Sequence, residues 1–450
     1  MIDLNKARRE TPGVNHVVHF NNAGAALMPQ VVLDTLKAHL DLEAQIGGYE
    51  AARLRQAELE AVYASLARLL GASPGEIAVV ENATRAWDMA FYSIPFQPGD
   101  RILTSQAEYA SNYIAYLQVA KRYGALVEVI PNDPRGQVDL GALERMLQRP
   151  TRLVAITHVP TNGGLVNPAA QIGRLTRKAG VLYLLDACQS VGQMPVNVQE
   201  IGCDMLSATS RKYLRGPRGM GFLYVRQAVL QTLEPPLLDL HAATWVAPDH
   251  YELDPSAKRF ENWESNIAAK LGFGAAVDYA LGWGLEPIWA RIKILAEHLR
   301  QGLRGLSGIE LCDLGAEPCG IVSFRLEEHS SDAVRDYMLK QRINLNVSRA
   351  PSTLLDMTQR GISDLVRASL HYYNSEAGFY HIHPISQRYK GMGLTAKRRR
   401  LRRTGTPSTC RKPSRRLRKA ARVWAALRVR QASSPRATSR LWCSRFSMPQ

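Results

Sequence analysis

The stretches VLYLLDACQSVGQ (Val181–Gln193) and SATSRKYLRGPRGMGFLYV (Ser207–Val225) decide the reading of this chain. The first is an apolar run that ends in an acid, Asp186, with the amide of Gln189 three residues on. The second sets Lys212 in a loop rich in Ser, Thr, Gly and Arg, before a further apolar run. In an open α/β sheet, ligands gather beyond the carboxyl ends of the strands, which is where both segments deliver their polar groups. Alone, Asp186 reads as a helix cap and Lys212 as a solvated loop lysine. Together, 26 positions apart at two successive strand ends, they read as a pair.

That pair has a specific chemical meaning. A lysine amine that forms a Schiff base, and an acid that keeps a pyridine nitrogen protonated, are what pyridoxal 5'-phosphate (PLP) asks of a protein. With the ring cationic, electrons from a cleaved Cα bond drain into it. Without the acid that sink is weak.

Outward from these segments, short apolar runs alternate with amphipathic stretches. Arg101–Thr104, Leu126–Ile130, Leu153–Thr157 and Val181–Leu185 read as buried strands, and Ser111–Arg122, Leu140–Leu147 and Ala169–Lys178 as the helices between them. Such alternation predicts an α/β fold with a mainly parallel sheet and helices on both faces. The stretch His241–Glu264, rich in aromatics, Pro and Asp, reads as irregular. Beyond it, helical patterns at Ile267–Leu281 and Glu286–Leu306, strands at Gly320–Arg325 and Leu365–Leu370 and a helix at Ser331–Lys340 predict a smaller α+β domain. The expected division is 1–30 as a segment at the active site, 31–70 as helices of the small domain, 71–236 as the cofactor domain, 237–377 as linker and small domain, and 378–450 as a basic tail.

The net charge of +17 resides in that tail. Residues 378–450 hold 20 of the 57 Lys and Arg and no acid, leaving 37 basic residues against all 40 acidic ones in the body. The abrupt change reads as a disordered or frame-shifted extension. A basic arm for nucleic acid or an anionic surface is the competing reading. No apolar run approaches the roughly 20 residues of a membrane span, and the start MIDLNKARRETPG is charged where a signal peptide is apolar. A cytoplasmic protein with no membrane partner is therefore expected. The six cysteines lack metal-ligand spacing and read as reduced thiols, with no metal site.

Both opening segments resemble the class-V aminotransferases, PLP enzymes of fold type I that include cysteine desulfurases, isopenicillin-N-epimerase-like proteins and the ergothioneine-pathway C–S lyase. HFNNAGAALMP, VVENATRAWDMAF, TSQAEYASN, ITHVPTNGGLVNP, RFENWESNIAAKLGFGAA and LVRASLHYYNSEA extend the resemblance, in family order, from Val18 to Ala377. It implies a large domain around a mainly parallel seven-stranded sheet.

It also implies roles. Lys212 is the Schiff-base lysine, Asp186 the partner of the pyridine nitrogen and Gln189 the partner of the ring hydroxyl. Thr84 and Arg85 fall where the family binds phosphate at a helix N-terminus; Thr209 and Arg211 match further phosphate contacts, Arg211 standing where histidine is common. Tyr109 takes the place of the aromatic that stacks on the ring. Thr161 or Asn162 matches a residue that touches cofactor or substrate. Glu264, in the segment Glu264–Asn266, matches a loop that reaches the partner subunit's cofactor, which implies a homodimer. Arg367 matches the arginine that holds the substrate carboxylate, and Asn22 joins it as a substrate-binding position.

Desulfurases carry a nucleophilic cysteine ahead of that arginine. Here the interval RINLNVSRAPSTLLDMTQRGISDLVR (Arg342–Arg367) has none. The expected activity is β-elimination by a C–S lyase on an amino acid or its S-conjugate, with an aminotransferase or epimerase as the alternative within the family.

Overall fold

A computed structural model of the chain describes residues 1–381. Its centre is a seven-stranded sheet of β1 (Ile77–Val80), β2 (Arg101–Thr104), β3 (Leu126–Val129), β4 (Leu153–Thr157), β5 (Leu182–Asp186), β6 (Met205–Thr209) and β7 (Gly221–Val225), in the order β1-β7-β6-β5-β4-β2-β3. β7 pairs antiparallel with both neighbours and the other pairings are parallel. The fold class read from the sequence is the one observed. The call on the tail falls almost entirely outside the described residues.

Alternate residues of each strand feed opposite sides of the sheet. Val154, Ile156 and Leu185 pack on one face with Ile172 of the helix Ala169–Ala179. Leu153, Ala155 and Leu184 pack on the other with Trp87 and Tyr116. Burial on both faces explains why these strands appear in the sequence as unbroken apolar runs.

A four-stranded antiparallel sheet joins Ile309–Leu311, Ile321–Leu326, Asp364–Ser369 and Asn346–Arg349, in that spatial order. The helix Ser331–Lys340 packs against it. The N-terminal segment is threaded alongside: Val18–His19 pairs parallel with Ile343–Asn344, and Asn21 bridges to Ser369.

The stretch 241–264 departs from expectation. An antiparallel hairpin of Ala243–Ala247 and His250–Leu253 occupies it. The hairpin is exposed on both faces, Trp245 being 78% exposed, so it carries no in–out alternation for a pattern reading to detect.

Two glycines let backbone meet backbone at the carboxyl ends of the strands. Gly192, at φ +91°, lies where a Cβ would fall 2.5 Å from the Tyr213 carbonyl carbon and 2.6 Å from the Leu214 nitrogen. It brings the loop after β5 against the loop after β6. At Gly221 on β7 a Cβ would fall 2.6 Å from the Asn82 carbonyl carbon, so the start of the helix Ala83–Tyr92 rests directly on the sheet. Gly192→Ala combines an unfavourable φ with overpacking and is expected to destabilise the fold by about 2–4 kcal/mol. Urea unfolding measures this, and an unchanged midpoint would remove the close approach as a constraint.

Candidate active site

The elements that these glycines hold together enclose a cavity of about 360 Å3. β4 runs into Thr157, Val159 and Thr161, β5 into Asp186, Cys188 and Gln189, and β6 into Thr209, Arg211 and Lys212. Two helix starts complete the wall: Asn82–Thr84 opens Ala83–Tyr92, and Tyr109 caps Ala110–Tyr123.

Asp186 is 5% exposed. Its Oδ1 accepts from the Cys188 amide at 2.9 Å and its Oδ2 from Asn112 Nδ2 at 3.0 Å. Lys212 is half-buried in the same space, and its amine has no hydrogen-bond partner among the described residues. Burial depresses the lysine pKa, with the charges of Arg211 and Arg367 adding to the effect and Cys188 and Asp186 opposing it. The result is an amine poised toward its neutral, nucleophilic form.

Gln189 donates from Nε2 to the Ala23 carbonyl at 3.1 Å and to Thr161 Oγ1 at 3.3 Å, which leaves its buried Oε1 unpaired. A buried acceptor without a donor is costly, and a hydroxylated ligand ring would satisfy it. At the helix start, the Asn82 side chain accepts from the Arg85 amide at 2.9 Å. The cap is therefore Asn82, and the amides of Ala83 and Thr84 keep no partner among the described residues. These amides, at the positive end of a ten-residue helix, suit a phosphate.

Arg367, 4% exposed, donates from Nη1 to the Thr161 carbonyl at 2.8 Å and to Thr161 Oγ1 at 2.9 Å, and from Nη2 to Asn21 Oδ1 at 3.3 Å. Its Nε is unpaired and no carboxylate faces it among the described residues. Burial pulls its pKa down to about 10. A buried guanidinium without an acid is a vacancy for an anion.

The remaining expected positions divide between this cavity and other surroundings. Thr161 lines the cavity, whereas Asn162 turns away and donates to Thr353 Oγ1 at 2.8 Å. Asn22 is enclosed: Nδ2 donates to the Ser369 carbonyl at 2.7 Å and Oδ1 accepts from the Tyr373 hydroxyl. Its neighbour Asn21, which bridges to Ser369 just before the turn that holds Asn22, reaches Arg367 instead. The Arg85 side chain acts on Asp88, one turn along its helix. Arg211 lines the cavity but its Nη1 donates to the Gly24 carbonyl. Glu264 borders a separate cleft of about 910 Å3, with Tyr49, Tyr63 and Trp263. Cys188 and the buried Glu108–Asn112 pair behind Asp186 were not singled out by the sequence reading.

Comparison with known proteins agrees with this geometry. The sequence profile described as aminotransferase class-V matches residues 18–379. The chain belongs to the class-V aminotransferase family. A probable cysteine desulfurase of Methanothermobacter thermautotrophicus is 29% identical over 392 residues, covering 86% of this chain and 98% of its own. One from Xylella fastidiosa is 31% identical over 370 residues, covering 80% and 87%. The apo cysteine desulfurase of Thermococcus onnurineus NA1 superposes with a TM-score of 0.81 at 26% identity, covering 87% of this chain and 99% of that one. The cystine C–S lyase C-DES, in complex with cysteine persulfide, gives a TM-score of 0.74 at 25% identity, covering 83% and 98%. A C-DES mutant carries glycine covalently linked to its PLP cofactor.

This class-V aminotransferase is thus a PLP-dependent enzyme, and its cavity fits that cofactor: a half-buried amine, a buried carboxylate, an unpaired amide oxygen and open helix amides. No described helix is long and apolar enough to cross a membrane. Asp186→Asn is expected to retain the cofactor and to lose roughly a hundredfold or more in turnover. Cofactor content and steady-state rates on one preparation test this; near-parental turnover would break the link between Asp186 and the electron sink.

Proposed function

We propose that this class-V enzyme is a C–S lyase, eliminating the sulfur substituent of an amino acid or its S-conjugate without a persulfide cysteine of its own. The observation that carries the reading is the interval between Arg342 and Arg367, which lacks cysteine and is anchored at several points. Thr353 accepts from Asn162, Met357 is fully buried, and Arg360 donates to the Cys312 carbonyl.

The nearby cysteines do not suit a nucleophile. Cys312 and Cys319 are 3% and 0% exposed, and burial pushes their thiols up to about 11 and about 12. Burial also raises Cys188, in the cavity wall. A thiol attacks as thiolate, which these surroundings disfavour. Cys410 and Cys443 lie outside the described residues.

When bound, PLP supplies an acceptor for the electron pair of a broken Cα bond. In this reading the Arg367 fork holds the substrate carboxylate and fixes which Cα bond faces the ring. The Lys212 amine takes the Cα proton. The electron pair left at Cα forms the Cα=Cβ bond as the Cβ–S bond breaks, the sulfur leaves with its electron pair and takes up a proton, and water hydrolyses the released 2-aminoacrylate to pyruvate and ammonia. Asp186 would hold the ring nitrogen of the cofactor, Gln189 its ring hydroxyl, and the amides of Ala83 and Thr84 its phosphate.

The same reading takes the protein as a homodimer. Glu264–Asn266 borders the large cleft beside Tyr49, 71% exposed, and Trp263, 52% exposed, an aromatic rim that a second copy would cover. Sedimentation at the mass of one chain would remove this part.

On S-conjugated amino acids the expected products are ammonia, pyruvate and a sulfur species, with no need for an oxo-acid. Amino transfer to an added oxo-acid, without pyruvate formation, would replace the lyase by a transaminase. Arg367→Ala should raise KM for α-carboxylate substrates by roughly a hundredfold, the scale of a lost bidentate charged contact; an unchanged KM would free Arg367 from this role.

A further inference from the structure

Behind Asp186 lies a second carboxylate that the reaction above does not use. Glu108 is 3% exposed and ends the loop after β2. Its Oε1 accepts from Asn112 Nδ2 at 2.8 Å and from the Tyr109 amide at 3.1 Å. Its Oε2 accepts from Thr104 Oγ1 at 3.0 Å and from the Thr157 amide at 3.1 Å. The hydroxyls of Ser105 and Thr157 also donate to it. This many donors fix the orientation of the carboxyl group and offset part of the cost of burying it.

Asn112 joins the two acids. Its Nδ2 donates to Glu108 at 2.8 Å and to Asp186 at 3.0 Å. An amide nitrogen has two hydrogens, one for each carboxylate, so turning Asp186 would break a bond that Glu108 holds in place.

We propose that Glu108 and Asn112 are positioning residues, which fix the Asp186 carboxylate toward the cofactor's ring nitrogen and back it with a second buried negative charge. The inference rests on Asp186 as the partner of that nitrogen, the role assigned to it under the proposed function. The charge acts by a simple rule: a neighbouring anion strengthens the hold of a carboxylate on a proton or cation. Burial, opposed by the Thr157 and Asn112 hydrogen bonds and aided by the Asp186 charge, raises the Glu108 carboxyl to about 7. The negative charge of Glu108 is therefore fully present only above about pH 7.

The test uses full-length holoenzyme loaded with PLP labelled with 15N in the ring. The 15N chemical shift reports whether the ring nitrogen keeps its proton, a property that folding alone does not move. Glu108→Gln, Asn112→Ala and Asp186→Asn are compared with the parent, with cofactor Kd and thermal melting measured on each. At near-parental melting, the ring signal is expected to move toward the unprotonated position in Glu108→Gln and Asn112→Ala. Cofactor binding should weaken about tenfold in Asn112→Ala, the scale of one lost charged hydrogen bond. Should Glu108→Gln fail to fold, its amide opposing so many donors, Asn112→Ala decides alone. A parental shift and Kd in the folded variants, with the signal moved in Asp186→Asn, overturns the inference and leaves the role of Asp186 standing. A parental shift in Asp186→Asn as well overturns both.

Discussion

A cation without a counter-ion holds the active-site loop in place. Arg215, three residues beyond Lys212, is 1% exposed, adopts φ +61° and pairs with no carboxylate among the described residues. Its Nε donates to the Leu27 carbonyl at 2.9 Å and its Nη1 to the Tyr372 hydroxyl at 2.6 Å, while Nη2 donates to Thr11. Tyr373, Tyr372 and Tyr279 present their rings at 4.4, 5.2 and 5.6 Å. Desolvated cation–π contacts reach about 2 kcal/mol or more. The interaction ties the N-terminal segment, the lysine loop, the helix Ile267–Trp283 and the residues after Asp364–Ser369 to one point. It does so without placing another negative charge near Asp186.

The same economy of charge governs the cavity. Asp186 brings negative charge to its wall, and Arg211 and, bonded to Thr161 of that wall, Arg367 bring positive charge. Arg211 is partly compensated by the Gly24 carbonyl and Arg367 by Thr161 and Asn21. Neutral oxygens orient these cations and leave their charge unspent, so the protein is arranged around an anionic, heterocyclic ligand rather than around itself.

How much of this was visible in the sequence depends on the range of the interactions. Leu153–Thr157 is buried at every position, so an unbroken apolar run identified it to the residue. Asp186 and Lys212 were legible because each follows directly on such a run. Asn21 sits at a bridge and Asn22 in the turn that follows, and adjacent identical residues carry no mark of that. The Glu108–Asn112 bond is a local one at helical spacing, but its meaning comes from Asp186, 74 residues from Asn112. Nothing in one sequence announces that separation. The exposed hairpin at 243–253 escaped for a plainer reason, having no core to pattern it.

The threading of the N-terminal segment sets an order on how the protein can be made. The Ser369 amide donates to the Phe20 carbonyl at 2.7 Å, and Asn22 closes on the Ser369 carbonyl and the Tyr373 hydroxyl, about 350 positions away. While a ribosome is still working through the middle of the message, the first thirty residues have no strand to join and Arg215 has no tyrosine pair from the far end. The sheet and the cavity lining from Asn82 to Lys212 can assemble early, as they lie close in sequence, but Arg367 and the closure of the N-terminal segment come last. The end of the site that Arg367 serves therefore waits until synthesis has passed Tyr373.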